Sequence, residues 1–280
     1  IVRDLETEPF EVVIIRDVIK LTAARVRLEG KVVVMRVTTF NEQTTPNLES
    51  GLEKVISSLG GIDNATGFIL DLRNNPGGLL SEAISVTDMF LERGEIVSTR
   101  GRRSNDGDRY SATVGDFARG KPIVVLINGG SASASEIVAG ALQDHNRAII
   151  MGTKSFGKGS VQSILPIGKE GAIRLTTARY YTPSGRSIQS LGVSPDIIVE
   201  SRPRLNEKEL EKMREGRKRL TESDLRGALS NDSLTEEEKQ QIELEREKQE
   251  ETAERRQDDY QIAFAMDILE GLSIYEVDTD

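Results

Sequence analysis

The chain has 280 residues, 37% of them hydrophobic, and its 37 Lys and Arg are outnumbered by 46 Asp and Glu, which gives a formal net charge of −9. This length is enough to bury a substantial core, and the acidic balance disfavours nonspecific binding to nucleic acid or to anionic lipid. The absence of cysteine excludes disulfides and thiolate metal sites, and no apolar run reaches the ~18 residues that span a membrane.

Predicted strands and helices alternate from residue 31 to residue 152, which is typical of an α/β core. A strand over 31–37 precedes an amphipathic helix over 46–59 and a buried strand over 67–73. That strand runs into a turn, Asn74-Asn75-Pro76-Gly77-Gly78, and a helix follows. Because glycine lets backbone amides point into a site, Gly77 or Gly78 is a candidate donor to an oxyanion, and an ordinary tight turn is the alternative. Polar residues over 101–120 then predict a surface loop.

The segment 128–136 places three serines between an apolar strand over 123–127 and a helix over 135–142, namely Ser131, Ser133 and Ser135. The first N–H groups of a helix have no intrahelical partner and carry partial positive charge. A serine at this turn can therefore attack a carbonyl group while a neighbouring N–H stabilises the oxyanion, although serine is also a common helix cap.

A glycine-flanked lysine, Lys158, follows after the next strand. The glycines permit close approach of the backbone, and Phe156 and Val161 offer apolar surroundings. A lysine acts as a base only when it is neutral, so desolvation or a nearby positive charge must lower the pKa from the ~10.4 of a free lysine. An extended chain here puts Gln162 on the same side as Lys158, where it can hold the amine towards the serine.

Two alternative interpretations fit these motifs less well. The single histidine, His145, lies at the polar end of the helix over 135–142, roughly three turns from the serines, so we predict a surface or helix-terminal residue. Residues 152–158 match most of a phosphate-binding loop, but Gly159 stands where that loop needs Ser or Thr, and strand and turn residues follow where it needs a helix. A serine nucleophile with a lysine base is the chemistry that remains.

The C-terminal part of the chain differs in composition. Before it, Lys169-Glu170-Gly171 predicts a hairpin turn. Charged residues then dominate from about 204 to 259, as they do in solvated helices or linkers. The last segment then carries two adjoining apolar stripes, formed by Tyr260, Phe264 and Ile268 and by Ile262, Met266 and Leu269. So wide a stripe must be buried, either on the chain's own core or on a second subunit.

Four ordered motifs resemble those of the carboxy-terminal processing peptidases, also called tail-specific proteases. They cover residues 72–78, 128–136, 156–162 and 178–189, within a similarity that spans roughly 10–200. The resemblance implies that Ser133 is the nucleophile, that Lys158 is the general base and that Gln162 supports it. It also implies oxyanion donors at Gly77–Gly78 and Ala134, and neither a cofactor nor a metal.

The resemblance refines the fold class to α/β with a layered β-β-α spiral core of the crotonase and caseinolytic-protease type, followed by a charged, mainly helical C-terminal extension. It divides the chain into a remnant of a PDZ domain and its exit strand (1–20), a serine protease core (21–204) and a charged helical region (205–280). Family members carry an export signal and a PDZ domain, which captures substrate C-termini, ahead of the core. Because this chain begins at Ile1, we expect a fragment or trimmed form that is inactive or deregulated.

We therefore expect a serine endopeptidase that cleaves unfolded or C-terminally exposed protein segments through a Ser133–Lys158 dyad. Its expected partners are these substrates and, through the C-terminal helices, a second copy, without nucleic acid or an integral membrane segment. The resemblance alone implies a periplasmic or cell-envelope location. The alternatives are a noncatalytic peptide-binding or scaffold module and an acyl-CoA enzyme on the crotonase fold, which would need neither Ser133 nor Lys158.

Overall fold

The computed structural model describes residues 11–13, 22–103, 106–201 and 258–276. Its strands are β1 (Ala24–Glu29), β2 (Val32–Val37), β3 (Gly67–Asp71), β4 (Gly94–Arg100), β5 (Arg109–Ala112), β6 (Ile123–Ile127), β7 (Ile149–Gly152), β8 (Ser160–Ile167), β9 (Gly171–Tyr181) and β10 (Ile197–Ile198). Its α-helices are α1 (Thr44–Leu59), α2 (Leu80–Asp88), α3 (Ala134–Asp144) and α4 (Tyr260–Glu276), with a 3₁₀ turn over Ile62–Asn64. These elements confirm the mixed α/β class predicted from their alternation along the sequence.

The larger sheet brings the ends of its central strands together. Its strand order is β1-β2-β3-β6-β7-β10, in which β1 is antiparallel to β2 and the other pairs are parallel. Ile69 of β3 lies beside Val124 of β6, and Asp71 lies beside Leu126. Since parallel strands end at the same edge of a sheet, the turns that follow β3 and β6 are neighbours.

The central strands β3 and β6 of this sheet are buried on both faces, which explains why they are continuous apolar runs and not alternating ones. Successive side chains point to opposite faces. One face carries Phe68 and Leu70 against residues of α1, α2 and α3. The opposite face carries Ile69 and Val124 against α4.

The apolar stripes of α4 pack on the chain's own sheet. Ile262, Met266 and Leu269 are buried against residues of β2, β3 and β6, and the other stripe is partly buried beside them. Burying a side chain such as Leu269 completely contributes roughly 1.5–3 kcal/mol. The apolar stripes of α4 are therefore covered by the core of this chain, which was one of the two alternatives that the sequence left open. Association with a second copy stays a prediction.

The smaller sheet has the strand order β5-β4-β9-β8. Strands β8 and β9 form a long hairpin around the turn predicted at 169–171, with Leu165 opposite Ile173. β5 lies inside the segment expected to be a surface loop, where Ser111 pairs with Glu95 of β4. A polar strand of this kind is stable at a sheet edge because it needs only one partner strand and can expose its side chains.

Two of the predicted domains fall largely outside the described residues. These are the PDZ remnant over 1–20 and most of the charged helical region over 205–280. Within the part of the chain that the structure describes, no helix has both the length and the apolar composition needed to cross a bilayer.

Candidate active site

Two turns meet at the carboxyl edge of the larger sheet. One joins β3 to α2 through residues 72–79, and the other joins β6 to α3 through residues 128–133. Asn74 and Asn128 link them reciprocally: the Asn74 N–H donates to Asn128 Oδ1 at 2.8 Å, and Asn128 Nδ2 donates to Asn74 Oδ1 at 2.9 Å. Asn74 adopts a φ of 55°, which asparagine tolerates better than most residues.

Asn75, which is fully buried, fixes both turns to the end of β2. Its side chain accepts the Gly77 N–H at 2.9 Å and donates to the Val37 carbonyl at 3.0 Å. Its own carbonyl accepts the Ala132 N–H at 3.0 Å and the Ser135 hydroxyl at 2.9 Å. Asn75 thus provides a hydrogen-bond partner for groups of β2 and of both turns, although its sequence motif indicated only a turn residue.

Ser133 stands at the start of α3 in a strained backbone conformation, with φ 57° and ψ −112°. Strain of this kind costs about 1–3 kcal/mol and persists where the surroundings enforce it, commonly at functional sites. Ser133 is partly exposed, whereas Ser131 and Ser135 are fully buried. The hydroxyls of these two donate to the carbonyls of Leu72 and Asn75 at 2.8 and 2.9 Å. Of the three candidate serines, Ser133 is the one that a substrate can reach.

Gly77 brings the turn after β3 into contact with Ser133. A Cβ at Gly77, whose φ is 97°, would lie 2.8 Å from Ser133 Cβ and 2.9 Å from Ala134 N, so no other residue fits without displacement. The Gly77 N–H is occupied by Asn75. Within the described residues, in contrast, neither the Gly78 N–H nor the Ala134 N–H donates to a protein acceptor. Each turn thus contributes one backbone amide that is free to bind a ligand.

Glu136 joins the serine turn to the lysine loop. Its fully buried carboxylate accepts the N–H groups of Ser133 at 2.8 Å and Lys158 at 2.9 Å through Oε2. Through Oε1 it accepts the Gly157 N–H at 2.6 Å and the Ser155 hydroxyl at 2.5 Å. These charge-assisted hydrogen bonds offset the high cost of burying a carboxylate. The Ser-x-x-Glu spacing is a helix-cap signature that indicates the contact of Glu136 with the Ser133 N–H, but it gives no sign of the contacts with the lysine loop.

Lys158 lies in the loop between β7 and β8 and is partly buried. Its backbone is held by Glu136, and the flanking Gly159 N–H donates to Gln189 Oε1 at 3.1 Å. None of the ion pairs formed among the described residues involves the Lys158 amine. The loop is thus fixed through its backbone while the amine is not engaged by a carboxylate.

Gln162 and Phe156 are placed differently from what the sequence suggested. The register of β8 shifts between Val161 and Gln162, and such a bulge re-aims the side chains on either side of it. Gln162 is exposed, and no hydrogen bond between described residues joins it to Lys158. Phe156, which was expected to shield the lysine, is 68% exposed. The support of Lys158 by Gln162 therefore stays a prediction.

The residues behind the two alternative interpretations lie as expected. His145 sits at the C-terminal end of α3, where Nε2 lies 2.7 Å from the Glu95 carbonyl oxygen. The strand β8 follows residues 152–158, where a phosphate-binding loop would need a helix.

Comparison with known proteins gives a family and several relatives. The sequence matches the model of peptidase family S41 over residues 31–199. A carboxy-terminal-processing protease of Bartonella bacilliformis is 58% identical over 193 residues, which cover 69% of this chain and 44% of that protein. A carboxyl-terminal-processing protease of Synechocystis sp. is 47% identical over 136 residues, which cover 49% of this chain and 31% of that protein.

The solved structure of a photosystem II D1 C-terminal processing protease is also similar, with a TM-score of 0.54 and 37% identity over 60% of this chain and 42% of that one. The chain thus spans less than half the length of these relatives. The family match covers more than half of the chain and confirms the resemblance predicted from four motifs. This chain belongs to peptidase family S41.

Proposed function

We propose that this chain carries the catalytic centre of a serine-type peptidase that uses Ser133 as its nucleophile and Lys158 as its general base. The observation that carries the proposal is the bridge formed by Glu136, whose carboxylate accepts the N–H groups of both residues. The bridge links the backbones of nucleophile and base through one buried side chain. Membership of peptidase family S41 and relatives named carboxy-terminal-processing proteases support the same activity.

In the proposed reaction, the Ser133 hydroxyl attacks the scissile carbonyl carbon and its proton passes to the neutral Lys158 amine. The tetrahedral oxyanion binds the amides of Ala134 and Gly78, which are fixed in advance and free of protein acceptors within the described residues. Gly77 contributes to this step because its lack of a side chain lets the turn after β3 lie against Ser133 and Ala134, whereas its own N–H is bound to Asn75. Collapse of the intermediate returns the proton to the leaving amine, and water then releases the acyl group from Ser133.

We propose unfolded or C-terminally exposed protein segments as substrates, because the relatives are named for C-terminal processing. Gln162 is proposed to assist Lys158 once substrate is bound. The layered β-β-α spiral, the periplasmic or cell-envelope location and pairing of copies through the C-terminal helices are further parts of the proposal. A PDZ domain, which would capture the substrate C-terminus, is also proposed to control activity, so that the enzyme without it is inactive or deregulated.

The proposal is tested by hydrolysis of a labelled unfolded protein near pH 8. The purified chain is compared with Ser133→Ala and Lys158→Ala, and with the matched controls Ser163→Ala and Lys154→Ala. We expect the first two variants to be inactive and the controls to retain activity. If no form cleaves, the assay is repeated with a longer chain that includes a PDZ domain.

A scaffold protein would give a different result in the same experiment. It would bind unfolded peptides without turnover, and Ser133→Ala would leave that binding unchanged. Binding without cleavage by both the chain and its longer form would therefore refute the peptidase proposal. An acyl-CoA enzyme would instead bind a CoA thioester and tolerate both Ser133→Ala and Lys158→Ala.

A further inference from the structure

A cluster of charged side chains joins the end of β3 to the beginning of α4. Asp71 follows Ile69 by two residues and therefore points to the same face of the sheet, the one that α4 covers. The Arg73 guanidinium donates to Asp71 Oδ1 at 2.9 Å and to Asp71 Oδ2 at 2.7 Å. Arg36 of the neighbouring strand lies 2.6 Å from the same carboxylate. Asp71 thus holds Arg73 beneath the first turn of α4.

The other edge of the Arg73 guanidinium holds α4 itself. Nη2 donates to Asp259 Oδ2 at 2.7 Å, and Nη1 donates to Asp259 Oδ1 at 3.0 Å and to Gln261 Oε1 at 2.8 Å. Asp259 also caps the helix, because its Oδ1 accepts the Ile262 N–H at 3.2 Å. Gln261 is buried and donates its amide to the Val199 carbonyl at 2.6 Å. Arg73, Asp259 and Gln261 are referred to below as the helix clamp.

The helix clamp is a contact between groups that keep their charges despite burial. Burial by itself would lower the pKa of Arg73, but hydrogen bonds and charges of Asp71 and Asp259 raise that pKa above its ordinary value. Burial alone would raise the pKa of Asp259, but the hydrogen bonds and the charge of Arg73 outweigh burial and hold the pKa of Asp259 below its usual range. Both partners therefore carry full charge at neutral pH. The planar fork of arginine is the group that can bind two carboxylates at once.

Arg73 lies at the start of the turn over residues 72–79, which carries the free Gly78 amide. The next residue, Asn74, donates to Asn128, and Asn75 then fixes the Gly77 N–H. The side chain of Arg73 is only 13% exposed, so the clamp leaves it little room to reorient. Movement of α4 away from the sheet would remove the partners on one side of Arg73 and leave its guanidinium and its backbone N–H held by Asp71 alone.

We infer that Arg73 is a positioning residue through which the docking of α4 sets the position of the Gly78 amide. The inference rests on the proposed function, in which Gly78 binds the oxyanion. It makes the C-terminal helix a regulatory element of the catalytic centre, since the turn is fully ordered when Asp259 and Gln261 hold Arg73. Regulation would then act at a distance from the substrate, on the face of the sheet opposite α1, α2 and α3.

The test uses Asp259→Asn in the full chain. Asparagine caps a helix as well as aspartate does, so the variant removes the charge of the clamp and keeps the cap. We expect kcat for a short fluorogenic peptide to fall about tenfold at unchanged KM, because displacement of a catalytic group by ~1 Å costs up to about 10²-fold in rate. Amide hydrogen exchange, measured by mass spectrometry, is expected to become faster over residues 72–79.

The matched control is Asp116→Asn, which removes the charge from an ion pair with Arg147 (2.8 Å) that is more buried than the Arg73–Asp259 pair and touches neither turn. It should leave kcat and the exchange over 72–79 unchanged. A second variant, Arg73→Lys, keeps the charge but loses the fork and is expected to behave like Asp259→Asn.

Unchanged kcat together with unchanged exchange over 72–79 in Asp259→Asn would overturn the inference. A rise in KM at constant kcat would do so as well, because it would point to substrate binding and not to the oxyanion site. Hydrogen exchange requires no turnover, so it decides the coupling between α4 and the turn even if the chain proves not to be a peptidase.

Discussion

Glu136→Gln is expected to lower both stability and catalysis, because Glu136 is the common acceptor of the serine turn and the lysine loop. Glutamine keeps one acceptor oxygen and replaces the other with a donor. In its better orientation the oxygen stays between the N–H groups of Ser133 and Lys158, and the new NH₂ faces Gly157 and Ser155. The Ser155 hydroxyl can rotate to accept this NH₂, but the Gly157 N–H has no acceptor left.

The magnitude follows from these contacts. Three hydrogen bonds change from charged to neutral, those from the N–H groups of Ser133 and Lys158 and the one with the Ser155 hydroxyl, which weakens each by about 1 kcal/mol, and the unpaired Gly157 N–H costs about 1–3 kcal/mol. We therefore expect the free energy of unfolding to fall by roughly 4–6 kcal/mol. Because Gly157 adjoins Lys158, the base is displaced as well, and kcat is expected to fall about 10²-fold.

Urea unfolding and peptide hydrolysis, measured at a temperature where the variant remains folded, check the two effects separately. Glu82→Gln is the matched control, since Glu82 Oε2 accepts the Thr45 N–H at 3.0 Å and the Thr45 hydroxyl at 2.7 Å without touching either catalytic turn. It should cost about 1–2 kcal/mol of stability and leave kcat nearly unchanged. Stability and kcat of Glu136→Gln equal to those of the wild type would refute the bridge as the element that holds the site together.

Three further predictions concern a glycine, a partly buried acid and an exposed aromatic residue. Gly77→Ala should abolish hydrolysis, because its methyl group would lie 2.6–2.9 Å from atoms of the serine turn. The control Gly120→Ala, at a φ of 78° with no atom near the added methyl group, measures the effect of backbone strain alone. Equal losses of activity in the two variants would contradict a role for the contact between Gly77 and the serine turn. Burial raises the pKa of Asp144, but hydrogen bonds from Thr182 and Ser184 and the charge of Arg186 outweigh burial and lower that pKa below its ordinary value. The ionised side chain therefore stabilises the fold fully at pH values above the unfolded pKa of ~3.9, and this stabilisation is lost as the pH falls through the folded pKa. The stability difference between wild type and Asp144→Asn in urea should accordingly shrink from about pH 6 to about pH 3, and a constant difference would contradict this assignment. Phe156→Ala should raise KM for apolar peptides several-fold at unchanged Tm because the ring is 68% exposed, and an unchanged KM would exclude Phe156 from the substrate surface.

Sequence patterns predicted the buried elements of the fold better than its edges. The apolar run over 123–127 coincides with β6 because that strand is buried on both faces. β1 escaped prediction, since Arg25, Arg27 and Glu29 interrupt its apolar residues at an edge of the larger sheet. β5 was missed for the same reason. Each of these strands has a partner on one side only and exposes part of its side chains, so its sequence lacks the continuous apolar run that marks a buried strand.

The candidate site divides in a similar way. Ser133 and Lys158 could be predicted as site residues because motifs fix their neighbours along the chain. Asn75 and Glu136 were missed because their contacts join residues far apart in sequence, such as Asn75 with Ser135, 60 positions away, and Glu136 with Lys158, 22 positions away. The placement of Gln162 was argued from an unbroken strand, and the bulge next to it violates that assumption.

The backbone amides at the two turns differ in whether a protein acceptor holds them. Within the described residues every buried side-chain nitrogen and oxygen has a hydrogen-bond partner. The amides of Gly77 and Ser133 are likewise occupied, by Asn75 and Glu136, whereas the adjoining amides of Gly78 and Ala134 are left free. Because the neighbours are held by buried polar side chains, the two free amides cannot readily turn inward to find acceptors of their own. An oxyanion would therefore meet donors already in place, and residues that hold their neighbours, such as Glu136 and Arg73, should affect rate more than substrate affinity.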